Sequence, residues 1–284
     1  MTASYILTLS CPDTIGIVAS VTEFVARHQG WIIEANQHAD TSTNYFFMRI
    51  EIKADSLNVS LDDFKQAFAP IGERFKMTWQ ITDTAQKKQL YLFVSKQAHC
   101  LADLLYRLRS GEYHAEVKGV VSNHEDLKSF VEWHGVPYHY IPMNPDTKQA
   151  AFKEITALLS ENTFDAIVLA RFMQILPDTL AEQHYGKIIN IHHSFLPAFL
   201  GAGAYQQAHD RGVKLVGATS HYVTDKLDEG PIIDQGVTRI AHHHSVDDIA
   251  RLTRDIEKQV LSRALHAHLQ DRIVIHNHKT IVFE

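Results

Sequence analysis

The spacing of hydrophobic residues predicts a small α+β unit at the start of the chain. Residues 5–9 alternate as in a strand, and apolar residues between 17 and 28 recur at helical spacing. Similar patterns predict strands at 31–38, 45–52 and 75–82 and a second helix at 61–68. The resulting order, strand–helix–strand–strand–helix–strand, is typical of a ferredoxin-like domain.

From residue 90 onward, the pattern changes to alternating strands and helices. Apolar runs predict strands at 90–94, 117–121, 138–141, 166–169 and 188–191, and helical spacing falls at 101–108, 125–133 and 147–159. The continuous apolar character of several runs is typical of buried parallel strands. We therefore predict an α/β domain with a doubly wound, mostly parallel sheet, whose ligand crevice lies at the carboxyl ends of the strands.

Three further elements are predicted after residue 200, namely a strand at 217–223, a helix capped by Ser245, and a hairpin at 273–283 that turns at Asn277. Residues 82–89 are polar without apolar periodicity, which is typical of a linker. We place the domain boundary there, with one domain at 1–84 and the other at 85–284.

Composition excludes several classes of protein. Of the 284 residues, 45% are hydrophobic and 21% charged, which is ordinary for a globular chain. The net charge is −6 without a large basic cluster, which argues against nucleic-acid binding. We expect no membrane contact and no secretory leader, since apolar runs are short and no basic segment precedes Ile6. Two cysteines fit a reducing cytoplasm.

Candidate chemistry lies where the predicted strand at 188–191 ends. Asn190 and His192 alternate along the strand, so both side chains should project to the same face. An amide can stabilise charge on a carbonyl oxygen, and an imidazole can exchange protons near neutral pH. A carboxylate from the loop before Gly230-Pro231 could orient His192, but spacing alone does not choose among Asp225, Asp228 and Glu229.

The first domain resembles the ACT domains. The resemblance rests on Cys11-Pro12-Asp13, Gly16-Ile17-Val18, Gly30 and Phe46-Phe47-Met48-Arg49. It implies binding of a small effector, such as an amino acid, in the loop at Gly16, and pairing of subunits in a homo-oligomer. The alternative is that Gly16 merely permits close packing of helix on strand. Trp31 departs from the family, which often has Asn at this position.

The second domain resembles the 10-formyltetrahydrofolate formyltransferase and hydrolase fold from about residue 90 to the end. The two matching signatures are Asn190-x-His192-x-Ser194-x-Leu196-Pro197 and Asp228-x-Gly230-Pro231-Ile232-Ile233. The resemblance implies a catalytic trio of Asn190, His192 and Asp228. It also implies a folate pocket between residues 169–176 and 223–228, with the candidate binding residues Phe172, Met173, Ile175, Val223 and Asp225.

The combination of an ACT-like and a formyltransferase-like domain resembles the formyltetrahydrofolate deformylases. The resemblance implies hydrolysis of 10-formyltetrahydrofolate to formate and tetrahydrofolate, without a cofactor. Formyltransferases carry a Gly/Ser/Asn-rich phosphate loop after the first strand, whereas residues 95–100 contain no glycine. Two alternatives stay open at this point: a formyltransferase with an amine acceptor, and a catalytically weak folate or effector sensor.

Two further observations bear on the site. No metal is expected, because the histidine groups at 192–193, 242–244 and 276–278 lack a recognised zinc spacing. Deformylases usually have a proline before the residue equivalent to Tyr205, after the segment 199–202, but this chain has Gly203-Ala204. Loss of the proline should loosen this loop.

Overall fold

The computed structural model describes residues 3–198 and 203–284, and they form two compact units. The first comprises residues up to Lys87 together with Gln270–His276 and Ile281–Glu284, and the second comprises Lys88–Leu269 with Asn277–Thr280. The expected domains were 1–84 and 85–284, whereas this division falls after Lys87 and the C-terminal segments belong largely to the first unit. A single cut in the sequence therefore does not describe the division.

The first unit is a four-stranded antiparallel sheet with two helices, in the βαββαβ order of a ferredoxin-like domain. The strand order is β2-β3-β1-β4. Its elements are β1 (Ser4–Pro12), α1 (Ile17–Arg27), β2 (Ile32–Asp40), β3 (Tyr45–Lys53), α2 (Leu61–Arg74) and β4 (Thr78–Asp83). Helix α2 extends past its predicted end at Phe68, and it includes Pro70.

C-terminal residues are hydrogen-bonded to the sheet of the first unit. Arg49, buried on β3, donates to Glu34 at 2.7 Å and to the carbonyl oxygen of Gln270 at 3.2 Å. Thr82 donates to Asp271 at 2.7 Å. Burying the Arg49 guanidinium without acceptors would be costly, so these contacts give a physical reason for the grouping of residues 270–276.

The second unit contains a seven-stranded sheet in the order β11-β10-β9-β8-β5-β6-β7. Strands β5 to β9 are parallel, and β10 runs antiparallel to both β9 and β11. The predicted doubly wound, mostly parallel sheet is therefore confirmed. The strands are β5 (Lys88–Val94), β6 (Ala115–Ser122), β7 (Tyr138–Tyr140), β8 (Ala166–Leu169), β9 (Ile188–His192), β10 (Leu215–Tyr222) and β11 (Ile232–Arg239).

Helices connect these strands, and a C-terminal hairpin follows the last helix. The helices are α3 (His99–Arg109), α4 (Lys128–Trp133), α5 (Lys148–Ser160), α6 (Asp178–Gln183), α7 (Ala204–Asp210) and α8 (Val246–Leu269). The hairpin strands are β12 (Ile273–His276) and β13 (Lys279–Val282). Ser245 caps α8 as predicted, because its hydroxyl accepts from the backbone N–H of Asp248 at 3.2 Å. None of the helices in the described ranges is both long and apolar enough to cross a membrane.

The chain order reverses between β5 and β8, which are neighbours in the sheet although β6 and β7 lie between them in sequence. On one side of this point the chain continues to β6 and β7, and on the other side it continues to β9. Connections leave the neighbouring strands in opposite directions at such a point, and the carboxyl ends are left uncovered. The side chains that follow β5, β8 and β9 therefore meet at one edge of the sheet.

Candidate active site

A cavity of about 320 Å³ opens at the carboxyl ends of β8 and β9. Its walls come from the segment after β8, the end of β9, His221 on β10, and the loop from Val223 to Asp228. The predicted trio lines this cavity, namely Asn190, His192 and Asp228. So do all the predicted folate-binding residues, namely Phe172, Met173, Ile175, Val223 and Asp225. The predicted trio and the predicted folate-binding residues therefore line one cavity.

His192 and Asp228 form a buried pair in this cavity. The distance from His192 Nδ1 to Asp228 Oδ1 is 3.3 Å, and both side chains are more than nine-tenths buried. His192 Nε2 has no hydrogen-bond partner within the described residues. The carboxylate therefore fixes the ring through one nitrogen and leaves the other nitrogen for a ligand.

Asn190 is oriented by His221, a residue that the sequence analysis did not single out. His221 Nδ1 lies 2.9 Å from the carbonyl oxygen of Tyr222, so this nitrogen carries the proton. Its Nε2 then accepts a hydrogen bond from Asn190 Nδ2 at 3.2 Å. Burial lowers the pKa of His221, which favours this neutral form. The second N–H of the Asn190 amide is thus available to a ligand oxygen.

The histidines around Asp228 keep its carboxyl ionised. Burial raises the pKa of Asp228, but the hydrogen bond from His192 and the neighbouring imidazoles outweigh burial and hold the pKa below its usual value. His221 Nε2 lies 3.8 Å from the same oxygen. The site therefore contains a carboxylate, not a carboxylic acid, at neutral pH.

The loop that carries Asp228 is shaped by its backbone. Asp228 has φ 57°, a left-handed conformation that Asp tolerates better than most residues. A Cβ atom on Gly230 would lie 1.8 Å from the carbonyl oxygen of Tyr222, so glycine is required for the close approach to β10. The backbone N–H of Tyr222 donates to the carbonyl oxygen of Pro231 at 2.9 Å. Gly230-Pro231 thus fixes where the Asp228 side chain enters the cavity.

The segment after β9 is held by a buried threonine. Thr219 Oγ1 donates to the carbonyl oxygen of Ser194 at 2.9 Å and accepts from the N–H of Leu196 at 3.0 Å. Gln235 on β11 donates to Thr219 Oγ1 and to the carbonyl oxygen of Leu196. These contacts fix the backbone that follows His192. The next residues, 199–202, lie outside the described residues.

The predicted folate-binding residues differ in their exposure. Phe172 is buried, whereas Met173 and Ile175 are 55% and 58% exposed and present apolar surface at the cavity. Val223 is half-buried and Asp225 is exposed on the opposite wall. Exposed apolar side chains beside a cavity are typical of a surface that a ligand covers. Met173 and Ile175 are therefore not core residues.

A second polar group, missed in the sequence, lies beside His192. His193 is buried against Tyr205, with ring centroids 5.1 Å apart, and burial together with the charge of Arg171 lowers the pKa of His193 to about 4. Arg171, which follows β8, also lines the cavity. Its Nε lies 3.5 Å from Glu257 Oε2, a carboxylate on α8 that is fully buried.

His99, Cys100 and Glu257 form a cluster of metal-ligand types whose candidate atoms lie within 4.8 Å of one another. Burial holds the pKa of the Cys100 thiol well above its usual value, so the thiol is neutral here. Glu257 already accepts from His99 at 2.7 Å and from Tyr205 at 2.5 Å. The cluster is therefore a hydrogen-bonded network that fits a metal poorly.

In the first unit, the predicted effector residue Gly16 lies in the exposed loop between β1 and α1. It has φ 95°, and a Cβ atom there would meet no atom within 4 Å. The alternative explanation by close packing is therefore wrong, since the backbone angle is what requires glycine. Gly16 is the N-cap of α1, which has no side-chain cap hydrogen bond.

Comparison with known proteins places this geometry in a family. The formyl transferase family matches residues 88–265. A formyltetrahydrofolate deformylase from Synechocystis is 46% identical over 98% of this chain and 97% of its own, and one from Bacillus subtilis is 45% identical over 98% and 93%. The chain belongs to the formyltetrahydrofolate deformylase family. The crystal structure of a deformylase from Pseudomonas syringae pv. tomato, 51% identical, covers 100% of this chain and 95% of its own with a TM-score of 0.99.

In this member of the deformylase family, the loop after β5 is hydrogen-bonded to the segment after β8 that lines the cavity. Ser95 donates to Asn123 at 2.7 Å and accepts from the backbone N–H of Met173 at 3.0 Å. The Ser95 N–H donates to the carbonyl oxygen of Arg171 at 3.2 Å. This loop thus supports the segment after β8, and its hydroxyl is committed to protein contacts.

Proposed function

We propose that the protein hydrolyses 10-formyltetrahydrofolate to formate and tetrahydrofolate. The observation that carries the proposal is the convergence of Asn190, His192 and Asp228 on one cavity in a chain of the deformylase family. The free amide N–H of Asn190 and the unpartnered Nε2 of His192 are two donors for one oxygen. Such donors stabilise the oxyanion of a tetrahedral intermediate.

In the proposed mechanism, the oxygen of a water molecule forms a bond to the formyl carbon. The formyl oxygen gains negative charge and accepts from Asn190 and from His192 Nε2 when the ring carries both protons. Asp228 holds His192 through Nδ1 and takes up a proton of the attacking water. The bond from the formyl carbon to N10 then breaks, and N10 receives the proton that Asp228 took from the water.

We propose that the folate ring system binds between the segment after β8 and the loop from Val223 to Asp228. Phe172, Met173 and Ile175 supply apolar contacts on one wall, and Val223 lies opposite. Asp225, exposed at the rim, can accept hydrogen bonds from the amino groups of the pterin. Substrate burial would cover the exposed parts of Met173 and Ile175.

The test is release of formate from 10-formyltetrahydrofolate by the whole protein, first with water as the sole acceptor and then with an added amine. Formate without an amine is the expected result. A product that forms only with the amine would identify a formyltransferase, and folate binding without turnover would identify a sensor. Neither alternative is favoured, because the relatives over nearly the whole chain are deformylases.

We further propose that the first unit is an ACT-like domain that binds a small effector at the Gly16 loop and pairs subunits in a homo-oligomer. The supporting observations are its βαββαβ order and the exposed, left-handed Gly16. An amino acid that changes hydrolysis by the wild-type protein but not by Gly16→Val would support the site. Sedimentation of the whole protein tests assembly, and a monomer would contradict it. We also propose that the reaction takes place in the cytoplasm, a reducing compartment that suits the two free cysteines.

A further inference from the structure

Arg171 is buried in the cavity wall without a full set of hydrogen-bond partners. It is 5% exposed, and its Nε and Nη1 have no hydrogen-bond partner within the described residues. Guanidinium groups remain charged in proteins, and leaving buried donors of a charged group unpaired costs several kcal/mol. Unpaired donors on a buried charged group are unusual in proteins unless a ligand supplies the acceptor during function.

Glu257 balances the charge of Arg171 but does not satisfy its donors. Its carboxylate oxygens accept from Tyr205 at 2.5 Å and from His99 at 2.7 Å, whereas Arg171 Nε is 3.5 Å away. A structural arginine–carboxylate pair is usually bidentate with distances under 3 Å. The arrangement therefore neutralises Arg171 at a distance and leaves Nε and Nη1 without an acceptor within the described residues.

Arg171 also stands at the point where the sheet changes direction. It follows β8, and its carbonyl oxygen accepts from Ser95, which follows β5. Its side chain lines the same cavity as Asn190, His192 and Asp228. The other cation of the cavity wall in the described ranges, Lys226, is exposed at the rim. Arg171 is thus the buried positive charge in the wall of the cavity that holds the reacting groups.

We propose that Arg171 binds the formate that hydrolysis releases. Breaking the bond to N10 with water as the oxygen donor gives formic acid, whose carboxyl proton leaves near neutral pH because carboxyl groups ionise near pH 4. The product is a small planar anion with two oxygens, which matches the donor fork of a guanidinium. The substrate formyl group is neutral, so a carboxylate that can pair with Arg171 exists only once formate has formed.

The other anion of this reaction, the glutamate part of the folate, fits the position less well. The glutamate carboxylates of a folate are at the far end of the substrate from its formyl group, and Arg171 lies beside the reacting groups. His193 does not supply a competing positive charge at neutral pH, because burial and Arg171 lower its pKa to about 4. The assignment rests on the proposed hydrolysis, since it names the product of that reaction.

The test is a titration of the full-length protein with ¹³C-formate, followed by NMR line broadening in the absence of folate. Arg171→Met should weaken formate binding at least tenfold, and Arg171→Lys should retain part of it because the charge stays. Lys226→Met, which removes a positive charge from the same cavity wall, should change formate affinity less than twofold. Circular dichroism verifies that each variant is folded.

A measurement on the wild-type protein covers the case in which Arg171→Met does not fold. In an arginine-selective ¹⁵N spectrum, formate should shift the Nε–H signal that is missing from Arg171→Lys. No saturable formate binding by the wild type, or equal binding by folded Arg171→Met, overturns the proposal while hydrolysis can still stand. Formate binding that depends on Arg171 in a protein that does not release formate supports the site and refutes the proposed hydrolysis.

Discussion

Asp228→Asn is the sharpest test of the proposed chemistry, because it removes one charge with almost no change of shape. The attraction between the Asp228 carboxylate and a protonated His192, 3.3 Å apart, is at most about 5 kcal/mol for an effective dielectric constant of about 20. Loss of general acid–base assistance typically costs about 10²- to 10⁴-fold, or about 3 to 5 kcal/mol. The lost attraction is large enough to account for such a cost, so kcat should fall at least about 10²-fold.

The fold should survive this change. Asn adopts the left-handed backbone of residue 228, where φ is 57°, as readily as Asp does. The assay is initial-rate formate release at saturating 10-formyltetrahydrofolate, with KM expected to change much less than kcat. Asp255→Asn, an exposed Asp on α8 that pairs with Lys258, is the matched control and should leave turnover unchanged. Turnover of Asp228→Asn within threefold of wild type would refute its role.

Three further predictions concern the surroundings of the trio. His193 binds a proton near pH 6.5 in the unfolded state and near pH 4 in the folded state. The free energy of unfolding should therefore decrease as the pH is lowered, by about 2 kcal/mol from pH 7 to pH 5. Urea unfolding should show a smaller loss for His193→Gln. Gly230→Ala should abolish turnover because its Cβ would overlap the Tyr222 carbonyl; near-normal kinetics would contradict this. Glu257→Gln should lower the free energy of unfolding by about 3 to 5 kcal/mol, since Arg171 loses its counter-charge; an unchanged denaturation midpoint would count against it.

The sheet could be predicted from the sequence because buried parallel strands leave a simple signal. All four residues of β8 are buried, as the apolar run suggests, and β9 is buried except at Asn190. Helices α6 and α7, of six and seven residues, and the partly exposed strand β11 were missed. Elements this short or this exposed carry too few apolar positions for their period to be recognised.

The carboxylate of the trio shows what spacing cannot supply. Asp225, Asp228 and Glu229 are equivalent in the sequence pattern, and the resemblance to a family was needed to choose among them. In the structure, the left-handed backbone at Asp228 turns its side chain towards His192, while Asp225 and Glu229 are exposed. The choice depends on the path of a loop held against Tyr222, which is a tertiary property.

Glu257 left a signal that could have been recognised. It lies four residues after Thr253 and three before Val260, on the helical face that is buried in α8. A carboxylate on an apolar stripe indicates a buried partner, because an unpaired charge there would be prohibitively costly. The identity of the partners could not be inferred, since His99, Arg171 and Tyr205 are distant in sequence and come together through the order of the strands.

The absence of a proline at Gly203-Ala204 should have only a small effect on the structure. Gly203 has φ 78° and is the N-cap of α7, and Ala204 is its first helical residue, where proline is well tolerated. Replacing proline by alanine there mainly increases the freedom of the unfolded chain, at a cost of about 0.4 to 1 kcal/mol. The helix is still anchored by the hydrogen bond from Tyr205 to Glu257. The expected loosening should therefore reduce stability slightly, while the positions of His192 and His193 are held by Thr219 and Tyr205, which this change leaves in place.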